Sequence, residues 1–285
     1  MDITTRPFRS VLYIPGSNQR ALDKAQTLAT DAIIFDLEDA VAPDEKAAAR
    51  ALLVQTLARA DYGARARIVR INGFDTAWGR DDAAAFADAK VDAILIPKVS
   101  HAADLETVAK TIAGVPLWAM LETALGMLNA AEIAAHPRLA GMVMGSNDLA
   151  RELGCRPRPD RLPLLPGLGL CLLAARAHGR IIIDGVYNAY LDDDGLRAEC
   201  EQGRDLGFDG KTLIHPSQLA IANIAFAPSQ PELDLARRQI AAFDDARTKG
   251  LGVAVVDGKI VENLHIVTAR QMLAKAEAIA ELGKS

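Results

Sequence analysis

Eight short apolar, β-branched runs recur along the 285-residue chain, and nearly every one ends in a polar or charged residue. They are VLYIPG (11–16), AIIFDLED (32–39), RIVRIN (67–72), AILIPK (93–98), LWAMLE (117–122), GMVMGSND (141–148), IIID (181–184) and TLIHP (212–216). Stretches of helical character lie between them, so the pattern reads strand, helix, strand, helix, eight times over. Eight such units predict an α/β fold of the (β/α)8 TIM-barrel type, in which active sites gather where the strands end. Asp36, Glu38, Asp39, Arg70, Lys98, Glu122, Asp148, Asp184 and His215 all fall at those strand ends.

The barrel takes residues 1–225, and 226–285 form a C-terminal helical extension outside the eight-unit count. The extension reads as a helix over 231–250, a valine-rich hairpin-like segment turning at Asp257–Gly258, and a last helix to about Leu282. Chain that a barrel does not need caps it or packs on a neighbouring subunit, so a homo-oligomer is expected. Within the barrel, Asn18 suits the cap of a helix through Ala29, Pro43 the first turn of a helix to about Ala60, and Thr123 the cap of a helix to about Ala135. Arg151 to Pro166, rich in Arg and Pro, reads as the most irregular connection, a loop over the mouth.

Composition narrows the function. Half the residues are apolar and the formal net charge is −5, with both signs mixed along the chain, which excludes an electrostatic footprint for nucleic acid. No run approaches the ~20 apolar residues that cross a bilayer. The N-terminus lacks a leader's apolar segment, so no membrane partner and a cytoplasmic location are expected. The three cysteines lack the paired spacing of a zinc or redox site.

Glu122 and Asp148 end consecutive predicted strands, whose axes lie about 4.8 Å apart, so their side chains can meet over one ion. Two carboxylates without His or Cys make an oxygen-only site that suits magnesium, with manganese as the alternative. Each could instead cap a helix or pair with a base. Asp36, Glu38 and Asp39 crowd the end of the second run, where they can hold metal-bound waters or Arg70. One of the three is expected to be merely solvated. Arg70 offers a planar fork for a substrate carboxylate, or else a buried ion pair with those acids. Lys98 could form a Schiff base in a desolvated barrel, but balancing the negative mouth is the simpler role. Arg20 and Lys24, four apart on the first helix, could reach phosphates at the rim or form an ordinary solvated face. His215 could act as an acid or base, or pack structurally.

These segments resemble the HpcH/HpaI aldolase and citrate lyase β-subunit family, in particular its citrate lyase β-like and malyl-CoA lyase-like branch. The resemblance runs through VLYIPGSNQRALDKA, AIIFDLEDAVAPDEKAAAR, VRINGFDTAWGRDD, ILIPKV, LETALGMLNAAEIA, MGSNDLARELG and LGFDGKTLIHPSQLAIANIAFAPS. It implies a magnesium-dependent lyase that breaks or makes the C–C bond of a 3-hydroxyacyl-CoA thioester, releasing an acyl-CoA and a 2-keto acid. By motif, Glu122 and Asp148 become metal ligands and Arg70 binds the keto-acid carboxylate, and Asp36 is expected among the catalytic residues with Arg70. Arg20 and Lys24 become contacts for coenzyme A. The family's catalytic aspartate, contributed across a subunit interface, matches Glu262 in the segment Gly258 to Glu262, one methylene longer. A homotrimer or homohexamer is implied. Rival readings are a metal-dependent aldolase acting on a free hydroxy-keto acid, a citrate lyase β subunit served by a carrier-bound thioester, and a non-catalytic keto-acid or CoA-binding protein.

Overall fold

The structure, a computed structural model, describes residues 6–283. Eight parallel strands close into a (β/α)8 TIM barrel: β1 Ser10–Pro15, β2 Ala32–Asp36, β3 Ala66–Arg70, β4 Ala93–Ile96, β5 Leu117–Leu121, β6 Leu139–Met144, β7 Ile181–Asp184 and β8 Gly210–Leu213. Closure comes from β1, which pairs with β2 on one side and with β8 on the other. All eight apolar runs form strands because each is buried on both faces, by barrel interior and by helices, where β-branched chains pack best.

Close packing shows at the β5–β6 seam. Trp118 is fully buried and stands opposite Gly141, where a Cβ would lie 2.5 Å from the indole. The ladder shifts register just before that pair, so the smallest residue faces the largest ring.

Several helices are shorter than the sequence suggests. Asn18 does cap the first, accepting a hydrogen bond from the Ala21 N–H, but that helix ends at Ala25 rather than Ala29. Pro43 opens a 3-10 turn, Pro43–Glu45, before the helix Lys46–Arg59. Thr123 caps a helix that breaks at Asn129, leaving two pieces, Ala124–Leu128 and Ala130–Ala134. The break follows from the Asn129 amide, which donates to the Ser100 carbonyl at 2.8 Å. The irregular connection is confined to 154–164, between the helices Ser146–Leu153 and Leu165–Ala177.

Residues Phe8–Phe226 make one compact unit, and 227–283 with Arg6 and Pro7 make a second. The second contains the helix Gln230–Thr248, the antiparallel pair β9 Ala254–Val256 and β10 Lys259–Val261, and the helix Asn263–Leu282. Its hairpin turns at Asp257 and Gly258, both at positive φ, and Phe243, Ala254, Val261 and Ile266 form a small core of its own. No helix among the described residues is long and apolar enough to cross a membrane.

Candidate active site

The C-terminal ends of the strands surround a cavity of about 310 Å³, and Asp36, Arg70, Glu122 and Asp148 all line it. Strand geometry places the first two. Asp36 and Arg70 are register partners at the ends of β2 and β3, so their side chains project to the same side of the sheet. The guanidinium closes on the carboxylate through two bonds, Nε to Oδ1 at 2.7 Å and Nη2 to Oδ2 at 2.6 Å. Nη1 lies 3.0 Å from Glu38, and the Tyr13 ring lies 5.0 Å beneath the guanidinium. Of the two readings of Arg70, the ion pair with the acids is the one the geometry displays. Asp39, largely exposed, is the solvated member of the acidic trio.

Glu122 directly follows β5 and is buried. One oxygen, Oε1, accepts the Lys98 backbone N–H at 2.8 Å. The other, Oε2, is buried with no hydrogen-bond partner. A buried carboxylate oxygen left bare is costly and calls for a proton or a cation. Burial, reinforced by the Glu38 and Asp148 charges, outweighs the Lys98 N–H and Arg70 and pushes the Glu122 carboxyl up to about 8. Gly145 makes the pocket for this carboxylate, since a Cβ there would lie 2.6 Å from Oε2.

Asp148 does not end a strand as expected. Strand β6 stops at Met144, and Asp148 lies in the first turn of the helix Ser146–Leu153, ion-paired with Arg151. That helix begins without a side-chain cap, and Gly145 to Asp148 line the cavity. Its unsatisfied first-turn N–H groups, with the positive end of the helix dipole, form a cradle for a carboxylate. The sequence signal was available: Gly-Ser-Asn-Asp after an apolar run marks a helix start.

The mouth therefore sets Asp36, Glu38, Asp39, Glu122 and Asp148 against Arg70 and Lys98, an acidic balance suited to a cation. Among the described residues no group of three or more His, Cys, Asp or Glu side chains is placed to hold a metal ion by itself. A hard divalent cation still fits, because magnesium takes one or two protein carboxylates and completes its shell with waters and substrate oxygens. The bare Glu122 oxygen, the space Gly145 leaves and the nearby Asp148 meet that requirement.

The other sequence candidates do not line the cavity itself. Arg20 and Lys24 are exposed on the helix Gln19–Ala25 and do not border the cavity. Glu262 is exposed in the second unit, next to the helix Asn263–Leu282, its N–H donating to His265 Nδ1 at 2.9 Å. Lys98 lies with its amino group 3.3 Å from Glu38, in the charge-balancing position. His215 caps the turn Pro216–Gln218 and rests 4.8 Å from the Tyr190 ring, the structural alternative. Asp184 is not at the open mouth: it is fully buried, held by Arg161 at 2.7 Å and Lys211 at 3.1 Å. Sequence reasoning missed this cluster, because Arg161 comes from the irregular connection and carries no motif.

A closed parallel barrel with an acidic cavity at its strand ends defines a (β/α)8 protein with its site in the usual place. The chain belongs to the HpcH/HpaI aldolase/citrate lyase family, an enzyme family whose model matches residues 9–216. It is 75% identical over 279 residues to a (3S)-malyl-CoA thioesterase of Cereibacter sphaeroides, with 98% of each chain covered. To the L-malyl-CoA/beta-methylmalyl-CoA lyase of Cereibacter sphaeroides it is 35% identical, over 96% of each chain. Among solved structures it resembles the CitE protein of Mycobacterium tuberculosis in complex with magnesium, acetoacetate and coenzyme A. That match has a TM-score of 0.82 and 34% identity, over 96% of this chain and 99% of the other.

Proposed function

We propose that this protein is a magnesium-dependent hydrolase of a malyl-CoA-type thioester, converting the 3-hydroxyacyl-CoA and water into the free hydroxy acid and coenzyme A. The observation that carries the reading is the 75% identity, end to end, with a protein named as a (3S)-malyl-CoA thioesterase. It replaces C–C cleavage, the reaction expected from the sequence, as the first choice.

Glu122 and Asp148 hold the cation, which when bound supplies Lewis-acid polarisation of substrate oxygens. The uncapped turn at Gly145 to Asp148 binds the substrate's free carboxylate. Arg70, its fork fixed by Asp36, presents a rigid positive charge to that end of the cavity. Arg20 and Lys24 serve the phosphates of coenzyme A where the thioester arm leaves the mouth. Glu262 is the base, contributed by a neighbouring subunit of a homotrimer or homohexamer. Glutamate where lyase-like members carry aspartate suits a base that has moved from a carbon-bound or hydroxyl proton to a water. Exposed apolar side chains on the C-terminal unit, Val255, Ile260 and Leu264 among them, support its packing on another copy.

The lyase reading stays second, favoured by the full-length match to the malyl-CoA lyase. There the hydroxyl proton leaves, the C–C bond breaks, and the thioester enolate takes a proton to give acetyl-CoA and glyoxylate. One assay separates the two. Incubation with (3S)-malyl-CoA and magnesium, scored for free thiol and for glyoxylate, yields thiol without glyoxylate for hydrolysis. Glyoxylate with acetyl-CoA and no early thiol establishes the lyase, and neither product removes this substrate.

A further inference from the structure

Strand β4 ends at Ile96, which stands opposite Ala119 of β5. The next ladder bond runs from the Val99 N–H to the Met120 carbonyl at 3.2 Å. Upstream the Ile94 N–H meets the Pro116 carbonyl, a register that would bring the Lys98 N–H to Met120; Val99 takes that place instead, so the chain carries one extra residue here, a bulge at the rim of the barrel. Pro97 has no N–H to satisfy. Lys98 has one, and it leaves the ladder to meet Glu122 Oε1 at 2.8 Å. That aim requires Lys98 to sit at a φ of 52°, in the left-handed region that a residue with a Cβ disfavours. Glycine would hold the same turn without strain. The lysine side chain explains the choice: its Nζ reaches past β3 to Glu38 Oε1 at 3.3 Å, and Glu38 also meets Arg70 at 3.0 Å.

We propose that Lys98 is a positioning residue for the metal ligand Glu122, its side-chain tether to Glu38 holding the left-handed turn that keeps the Lys98 N–H on the Glu122 carboxylate. Fixing one oxygen by a backbone donor leaves Oε2 directed at the cation position without a search over rotamers. The inference rests on Glu122 being a metal ligand, as proposed above. It differs from charge balance in sign. An amine that only offsets the negative mouth weakens cation binding, so its removal would tighten it. An amine that holds the ligand in place strengthens binding, so its removal loosens it.

The test is calorimetric titration of the full chain with Mn²⁺ and with Mg²⁺, for the wild type, Lys98→Met, Lys98→Gly and Lys98→Arg, with thermal midpoints as the folding check. Lys98→Met is expected to bind about 10-fold more weakly despite the lost positive charge, the usual scale for a residue that orients a ligand. Lys98→Gly, which accepts the left-handed turn freely, falls between Lys98→Met and the wild type. Lys98→Arg, which keeps charge and reach, stays nearest the wild type and serves if the other variants do not fold. Binding by Lys98→Met as tight as the wild type or tighter overturns the inference, as does Lys98→Gly binding no better than Lys98→Met. A wild type that binds neither cation overturns the metal site itself, an outcome distinct from any difference among variants.

Discussion

Asp36 and Arg70 occupy partnered positions in the β2–β3 ladder, and both ends of the guanidinium fork close on one carboxylate, at 2.7 and 2.6 Å, with both side chains buried. Removing one partner strands the other's charge, which costs about 3–5 kcal/mol, whereas removing both costs far less. Arg70→Met should therefore lower unfolding free energy by that order in urea melts, and Asp36→Leu with Arg70→Met should recover most of it. Arg70→Lys, which keeps charge but loses the fork, should reduce kcat/KM by roughly 10²-fold through misplacement.

Gly145 offers a cleaner probe of the proposed cation site, because it touches Glu122 without carrying a charge. A Cβ at 145 would stand 2.3 Å from Glu122 Cβ and 2.6 Å from Oε2, so Gly145→Ala must push the carboxylate aside. Divalent-cation affinity measured by calorimetry should fall by about 10–100-fold, as it does when the residues orienting a ligand are disturbed. An unchanged dissociation constant in a folded variant would remove Glu122 from the ligand set.

Acid sensitivity should trace to Asp184. Burial pushes its carboxyl up, but Lys211 and Arg161 outweigh burial and hold it below the usual carboxylate range. With the folded value below the unfolded one, near 3.9, the native state binds fewer protons than the unfolded chain between them. The stability so gained is complete above that unfolded value and is lost as pH falls through the folded one. Denaturant midpoints should drop steeply below about pH 4 in the wild type and less steeply in Asp184→Asn. That variant should also be weaker at neutral pH by about 3–5 kcal/mol, with Glu199 left as the carboxylate facing both Lys211 and Arg161.

Thiol chemistry should be confined to one position. Cys171 and Cys200 are buried, which pushes each thiol up to about 12, whereas Cys155 is partly exposed. A thiol reagent at neutral pH should label the native protein once, at Cys155, and the unfolded chain at all three cysteines. Rapid labelling of Cys171 in the native state would contradict the packing of the helix Leu165–Ala177.

The strand pattern was legible because it is local. Each apolar run reports its own burial on two faces, and eight of them return as eight strands. Boundaries that depend on side-chain competition were not legible. Asn129 breaks one helix by reaching the Ser100 carbonyl, a partner 29 residues away. The apolar run of strand six and the Gly-Ser-Asn-Asp helix start are contiguous, so periodicity alone extends the strand to Asp148, whereas the chain turns into a helix at Ser146 and places Asp148 in its first turn. Arg161 escaped notice because its partner Asp184 lies 23 residues further along the chain, at the end of a strand that no local pattern links to the irregular connection.

The sequence by itself determined that the chain is an eight-unit barrel and that Asp36, Arg70 and Glu122 lie at one end of it, because strand ends follow from periodicity along the chain. Only the tertiary structure decided that the Arg70 fork is given to Asp36, that the Lys98 N–H turns to Glu122, and that Asp184 is sealed beneath Arg161 and Lys211. Those pairings join different strands and loops. Their distances are set by how the closed sheet staggers its neighbours, a property of the ring as a whole and of no single segment.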